Sequence, residues 1–396
     1  MTMWRVKNIA SLLTIFALFC AQTQAASIIT RGTYSAYASG FMKNQKVTSS
    51  YIGPGDVVSG ATAWYGLRAY NGAYAAATSK AVSLRRASDN TTCDFNVATS
   101  GALGVSASGC SAGSGLSLAS FATTDATCTG TAASSTTLTV TGCSSTPNVG
   151  STITGTGFTQ PVYATAVSVA AGSGTITMNT AQTVTAASST LTYGLYVTSW
   201  YDQTGSGNTV SQATAGNQPE LLSSCGNSLP CVVFISAKST SLSFATFLSM
   251  AQPITVATVA QESITATANN RIFASSTGPT AGNGGGILRW NSSTVFAEYL
   301  FATLNISATV TASALESVIG VWNGTSSSLV INNSSFAAVA AATTSWNAGL
   351  TLGAGSNLYS DIYEMELGIW PAAFNSTQQT NICHNQYSYW GTSVSC

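Results

Sequence analysis

From Thr192 to Cys396 the chain is a succession of short alternating runs with no helical crossover between them. Ile254 to Val259, Arg271 to Phe273, Ile287 to Trp290, Val318 to Val321, Leu329 to Ile331 and Leu350 to Leu352 all carry this pattern. Successive side chains on a strand point to opposite faces, so such a run buries one face and leaves the other free. Many short strands without crossovers restrict the chain to antiparallel sheets packed on each other, an all-β sandwich. The 45% of hydrophobic residues, with 8 Trp, 15 Tyr and 14 Phe, are enough to fill a large core. The last segment differs: Asn375-Ser376-Thr377 predicts the cap of a short helix from Gln378 through Asn385 toward Tyr389.

The chain before Thr192 has two textures. Residues 26–121 supply the first part of the sandwich. There Trp64, Leu67, Arg68, Tyr70 and Tyr74 fall at spacings of three and four, which predicts a helix. Val82, Leu84 and Arg86 alternate as a half-buried strand does, and Ser88-Asp89-Asn90 closes it. Residues 122–191 are free of charge after Asp125 and rich in Ser, Thr and Gly. Short strands are expected at Thr137–Val140, Thr152–Thr154, Ala164–Val169 and Thr175–Met178, separated by Gly-rich turns. This segment reads as a small inserted β-module, and 192–396 as the remainder of the sandwich.

The first 25 residues read as a secretory signal. Arg5 and Lys7 precede an apolar stretch from Ile9 to Phe19, and Thr23-Gln24-Ala25 offers small residues for cleavage. No later apolar run reaches the roughly 18 residues of a membrane span. The expected address is therefore secreted, extracellular or periplasmic. Beyond Cys20 there are eight cysteines, Cys93, Cys110, Cys128, Cys143, Cys225, Cys231, Cys383 and Cys396. An even count behind an export signal reads as disulfides. Pairing of sequence neighbours is the expectation, with the connectivity open at this level. The sequence holds no CxxC pair and a single histidine, His384, so no metal site or cofactor is read from it. Twelve Lys plus Arg, balanced by twelve acids, are too few for the basic footprint of a nucleic-acid binder.

One turn carries the strongest local signal. Trp200-Tyr201-Asp202-Gln203-Thr204-Gly205-Ser206-Gly207-Asn208 ends a β-type run and drops into Gly, Asp and Asn, residues that accept tight backbone angles and bond their own turn. It suits either the simple end of a strand or a sugar-holding rim, with Trp200 and Tyr201 stacking on a ring and Asp202, Gln203 and Asn208 taking hydroxyls. Trp290, beside Arg289 and Asn291, is a second candidate for an exposed stacking surface. The expected partner is a polysaccharide or other glycan.

With these residues in view, the chain resembles the catalytic domain of fungal-type α-L-arabinofuranosidase B. Arg68-Ala69-Tyr70 and Leu84 through Thr92 are similar to that family's opening strands. Tyr201 through Asn208, followed by Gln212-Ala213, is similar to its YDQSGNGN turn. Ile362-Tyr363-Glu364, Glu366 to Trp370 and the terminal helix resemble its closing strand and helix. The resemblance implies a concanavalin-like β-sandwich (jelly roll) and hydrolysis of arabinofuranosyl side chains of plant polysaccharides.

A retaining glycosidase of that kind needs two carboxylates flanking the scissile bond, one attacking the sugar and one protonating the leaving oxygen. The family's nucleophile, a Glu after a Gly-rich turn, corresponds to Gly284-Gly285-Gly286-Ile287-Leu288-Arg289-Trp290, which holds no acid. Its acid/base Asp corresponds to Gly353-Ala354-Gly355-Ser356-Asn357, again without one. Asn270-Arg271 stands where the family has adjacent cysteines. Glu298, one strand beyond the first place, and Asp361, five residues past Ser356, are the substitutes to consider. Glu364 and Glu366 share one face of a strand and form another possible pair. Two functions follow from these departures: an arabinofuranosidase with relocated acids, or a non-catalytic glycan-binding or adhesin-like protein that keeps the sandwich.

Overall fold

The computed structural model describes residues 51–392 except 160–161, 264–269, 276–286, 293, 301–302, 333, 338–344, 347 and 356–357. The expected signal segment and Cys396 lie outside these residues. Two antiparallel sheets face each other. The first is built on the closing strand, Ile362–Trp370. Ala63–Gly66 and Cys231–Phe234 lie end to end along one of its edges, and Ile254–Glu262 along the other. Leu315–Trp322, Ser328–Ile331 and Ser334–Ala337 follow outward. The second sheet runs from Leu103–Ser106 through Thr92–Val97, Lys80–Arg86, Leu195–Trp200, Val210–Ser211 and Leu242–Phe244. It continues through Leu350–Leu352 and Asn270–Ala274 to Ile287–Ser292, Val295–Leu300 and Thr303–Thr309. Glu220–Leu222 pairs with Leu195–Trp200 on one side and Cys231–Phe234 on the other, and so joins the two sheets at a corner.

The inner faces bury Tyr65, Leu84, Phe95, Val197, Trp200, Met365 and Leu367 in one continuous core. Phe273, Trp322 and Trp346 pack there edge to face and tilted, with ring centroids 5.0–6.0 Å apart. A fully buried tryptophan removes on the order of 150–250 Å² from water. That is about 4–6 kcal/mol each before chain entropy is counted. The aromatic content is therefore spent mainly inside the sandwich.

The outer face of the first sheet is covered by the helix Ser376–Trp390. Asn375 and Gln378 cap each other's backbone N–H at its start, and Gly391, at φ 65°, ends it in the left-handed region. Beneath it, Arg68 and Glu366 form a buried two-point ion pair (2.5 and 2.8 Å), and the Trp390 indole N–H donates to the same carboxylate at 2.6 Å.

The stretch Trp64–Tyr74 corrects a sequence expectation. It forms a strand, Ala63–Gly66, and a separate short helix, Gly72–Ala76, with Asn71 as its cap. Trp64 packs on the outer side with Trp370, while Tyr65 enters the sandwich core. Pairing with the closing strand satisfies the backbone. The glycines at 66 and 72 weaken a continuous helix, and any side chain at 66 would meet the Trp64 indole.

Thr124–Thr192 forms a separate four-stranded antiparallel sheet. Two long strands, Thr124–Thr141 and Ser173–Thr192, pair with repeated register shifts, and Thr152–Gly155 and Ala164–Ala170 flank the second. Its own core holds Leu138, Val140, Ile153, Ile176, Met178 and Leu191. Disulfides join Cys93–Cys110, Cys128–Cys143 and Cys225–Cys231, and Cys383 is also disulfide-bonded.

Candidate functional site

The turn after Trp200 is closed on the protein itself. Asp202 accepts from the backbone N–H groups of Trp64 (3.1 Å), Thr204 (3.0 Å) and Asn208 (3.1 Å), and from the Thr204 hydroxyl at 2.8 Å. Gln203 accepts from Tyr70 N–H at 2.8 Å and donates to the carbonyls of Gly66 (2.8 Å) and Arg68 (3.1 Å). The Asn208 amide donates to the Thr62 carbonyl at 2.9 Å. The turn thus ties the opening segment to the sheet, and its polar groups are engaged inside the protein. Trp200 and Trp290 are buried in the sandwich core. Tyr201 is half-buried and donates to Asp94 at 2.7 Å, with Lys80 over its ring. The side chains of Asn291 and Glu298 lie outside the described set. By register Glu298 stands opposite Leu288 and Ile306, two strands across from Asn270–Ala274.

Asp361 leads into a different cluster. It sits where the chain enters the closing strand, its carboxylate accepting from the Ser236 N–H at 2.9 Å and the Ser236 hydroxyl at 2.6 Å. Its own N–H donates to Asn270 Oδ1 at 2.8 Å, and the Asn270 amide donates to Glu262 at 2.9 Å. Burial raises Glu262 above the usual carboxylate range, with the Asn270 hydrogen bond working against that shift. Two residues along from Asp361, Tyr363 stands across from Val233, which in turn stands across from Glu220.

Glu220 is fully buried, and both its oxygens lack a hydrogen-bond partner among the described residues. Burial pushes it up to about 7, with the Lys238 ammonium nearby pulling the other way. Tyrosines surround this acid. Tyr196 is its cross-strand neighbour and is itself pushed up to about 12 by burial and by Glu220, with Arg85 opposing. Tyr163 comes from the four-stranded module. Burial, Tyr363, Glu220 and Asp361 together raise its phenol far above the usual range. The Lys238 ammonium stands 6.0 Å from the Tyr163 ring centroid. Asn179, also from the module, hydrogen-bonds the Tyr363 side chain.

The structure thus gathers Asp361, Glu262, Glu220, Tyr163 and Tyr363 at the junction of sandwich and module. Glu364 and Glu366 lie elsewhere, buried under the terminal helix region, one raised well above its usual range by burial and the other held by Arg68. Glu220 was missed in the sequence, yet it is the sole carboxylate between Asp202 and Glu262, followed directly by two leucines. An acid inside an apolar strand pattern is the signal that marks it. Two carboxyl groups in unlike surroundings, one enclosed and holding a proton near neutral pH, are the raw material of acid–base chemistry.

No protein-family model matches the chain, and no curated protein matches it. Solved β-sandwich proteins do resemble its fold. A GH54 α-L-arabinofuranosidase mutant soaked with 4-nitrophenyl α-L-arabinofuranoside aligns with a TM-score of 0.51 at 13% identity, covering 84% of this chain and 65% of the other. An arabinofuranosidase complexed with arabinofuranosyl-α-1,2-xylobiose gives the same figures, as does a GH54 α-L-arabinofuranosidase soaked with a cyclic sulfate inhibitor. The chain therefore shares their fold and spans 65% of their length.

Proposed function

We propose that this is an exported carbohydrate-active protein that takes arabinofuranosyl side chains of plant polysaccharides at the Asp361–Glu220 cluster. The observation that carries the reading is the cluster itself: acids and tyrosines gathered where the four-stranded module meets an arabinofuranosidase-like sandwich. Phenol rings stack on the C–H faces of a sugar, and carboxyl groups take its hydroxyls. In the hydrolytic form, Glu220 keeps its proton near neutral pH and serves as general acid toward the leaving oxygen. Asp361, oriented by its two hydrogen bonds from Ser236, serves as the carboxylate on the sugar side. Glu298 is the competing partner for Asp361.

A second reading is glycan binding without turnover, favoured by the complete enclosure of Glu220. Hydrolysis of p-nitrophenyl α-L-arabinofuranoside and retention on arabinoxylan separate the two readings. The expected result is turnover lost in Asp361→Asn and Glu220→Gln and kept in Glu298→Gln. Loss in Glu298→Gln with Glu220→Gln active moves the pair to Asp361 and Glu298. Retention without turnover assigns the binding role. Neither turnover nor retention by the folded wild-type chain overturns the proposal.

A further inference from the structure

The module Thr124–Thr192 meets the sandwich beside the buried Glu220, and the contact there is close. Gly150, at φ +89°, lies so near Tyr196 that an added Cβ would stand 2.5 Å from the Tyr196 hydroxyl. Gly194, where the chain returns to the sandwich, has the Gly150 carbonyl and the same hydroxyl within 3.1 Å of a would-be Cβ. Tyr163 packs against the main core rather than the module's own. Asn179 reaches the Tyr363 side chain, and also accepts from the Tyr163 N–H at 2.9 Å. Glu220 acts on both Tyr163 and Tyr196, and neither of its oxygens has a hydrogen-bond partner among the described residues.

We propose that the module is a proton-gated cover over the acid–tyrosine cluster, seated while Glu220 is protonated and lifting when Glu220 ionises. The groups facing Glu220 come from every packed element. They are Tyr196 with Arg85 stacked over its ring at 4.8 Å, Tyr363 on the closing strand, Tyr163 on the module, and Lys238 on the turn Ser236–Lys238. Asp361 adds a second carboxylate beside Tyr163. The Lys238 ammonium, itself engaged with the Tyr163 ring, is the cation acting on Glu220, and no donor among the described residues reaches the Glu220 oxygens. A carboxylate formed there has lost its water without gaining a hydrogen bond, and lifting the module restores that water.

The sign follows from linkage. With the module lifted, Glu220 meets water and titrates near the ordinary 4.5; with the module seated it titrates near 7. The seated form therefore binds the extra proton between those values, and its advantage falls about tenfold per pH unit across that window and levels off above it. That this motion admits a sugar rests on the function proposed above, in which the sugar enters with the module lifted and Glu220 regains its proton as the module reseats; the motion itself is read without any sugar.

Hydrogen–deuterium exchange of the full, disulfide-intact chain, corrected for intrinsic rates, tests the gate on peptides covering 148–165 and 190–198. Protection there should fall about tenfold per pH unit from roughly 4.5 to 7 and then flatten. Glu220→Gln should flatten the whole profile, and Lys238→Met, which removes the cation that lowers Glu220, should move the upper bend to higher pH. A flat wild-type profile, or the same slope in Glu220→Gln, overturns the gate. If Glu220→Gln does not fold, an unmoved bend in Lys238→Met overturns it alone. A pH-dependent cover on a chain that neither retains nor cleaves arabinoxylan leaves the gate standing and removes the carbohydrate function.

Discussion

Asp202 and Glu220 are both buried carboxylates near the same sheet, and their partners give them opposite characters. Asp202 accepts from three backbone N–H groups, so its side chain is built into the turn. Asp202→Ala leaves those donors unpaired, and we predict a loss of about 3 kcal/mol in a denaturant melt, with arabinoxylan retention unchanged in the folded fraction. The residue types of that turn were legible from the sequence, as was the possibility that it merely closes a strand. Which of the two holds depends on Trp64, Tyr70 and Thr62, well over a hundred positions away in the chain, and no local pattern reports such contacts. Trp200 and Trp290 are a similar case. A tryptophan at a strand end reads alike on the rim and in the core, and burial of a large ring decides for the core. Glu220 left only an oddity of pattern that the sequence reading passed over, and its significance came from Tyr163, supplied by the module.

At the scale of elements, alternation located the strands of the second half, and the cap residues Asn375-Ser376-Thr377 located the terminal helix, where Asn375 and Gln378 cap each other. Spacing misled at Trp64–Tyr74, because residues three and four apart also arise when a strand with unlike neighbours on its two faces runs into a loop. The closing strand and the helix are joined by Arg68, Glu366 and Trp390, a contact that sequence spacing cannot show. Glu366→Ala strands a fully buried guanidinium, and we predict a loss of about 3–5 kcal/mol by chemical denaturation. The double change Arg68→Met with Glu366→Leu should recover most of it. If the single variant costs no more than an exposed pair would, the helix is held by its apolar face alone.

For the whole molecule, burial raises Glu220, Glu262 and Glu364 together. In each case the native state holds a proton that the unfolded chain has already released, so stability is greatest below the ordinary carboxylate range and declines as pH rises through the folded values. For Glu220, moving from 4.5 to about 7 corresponds to about 3 kcal/mol. We predict a lower melting temperature at pH 8 than at pH 5, with a shallower decline in Glu220→Gln; a melting temperature that rises over that range contradicts the burial of these acids. The all-β sandwich was legible from the period-two pattern alone, whereas the acid–tyrosine corner joins residues 163, 220, 238, 361 and 363 and exists only once the sheets and the module are assembled. The most direct test of that corner as a carbohydrate site is a crystal of the mature chain soaked with an arabinoxylan oligosaccharide. We predict an arabinofuranosyl group bound between Tyr163, Tyr363 and Asp361; a sugar bound at any other surface, or none in crystals that admit the ligand, contradicts it.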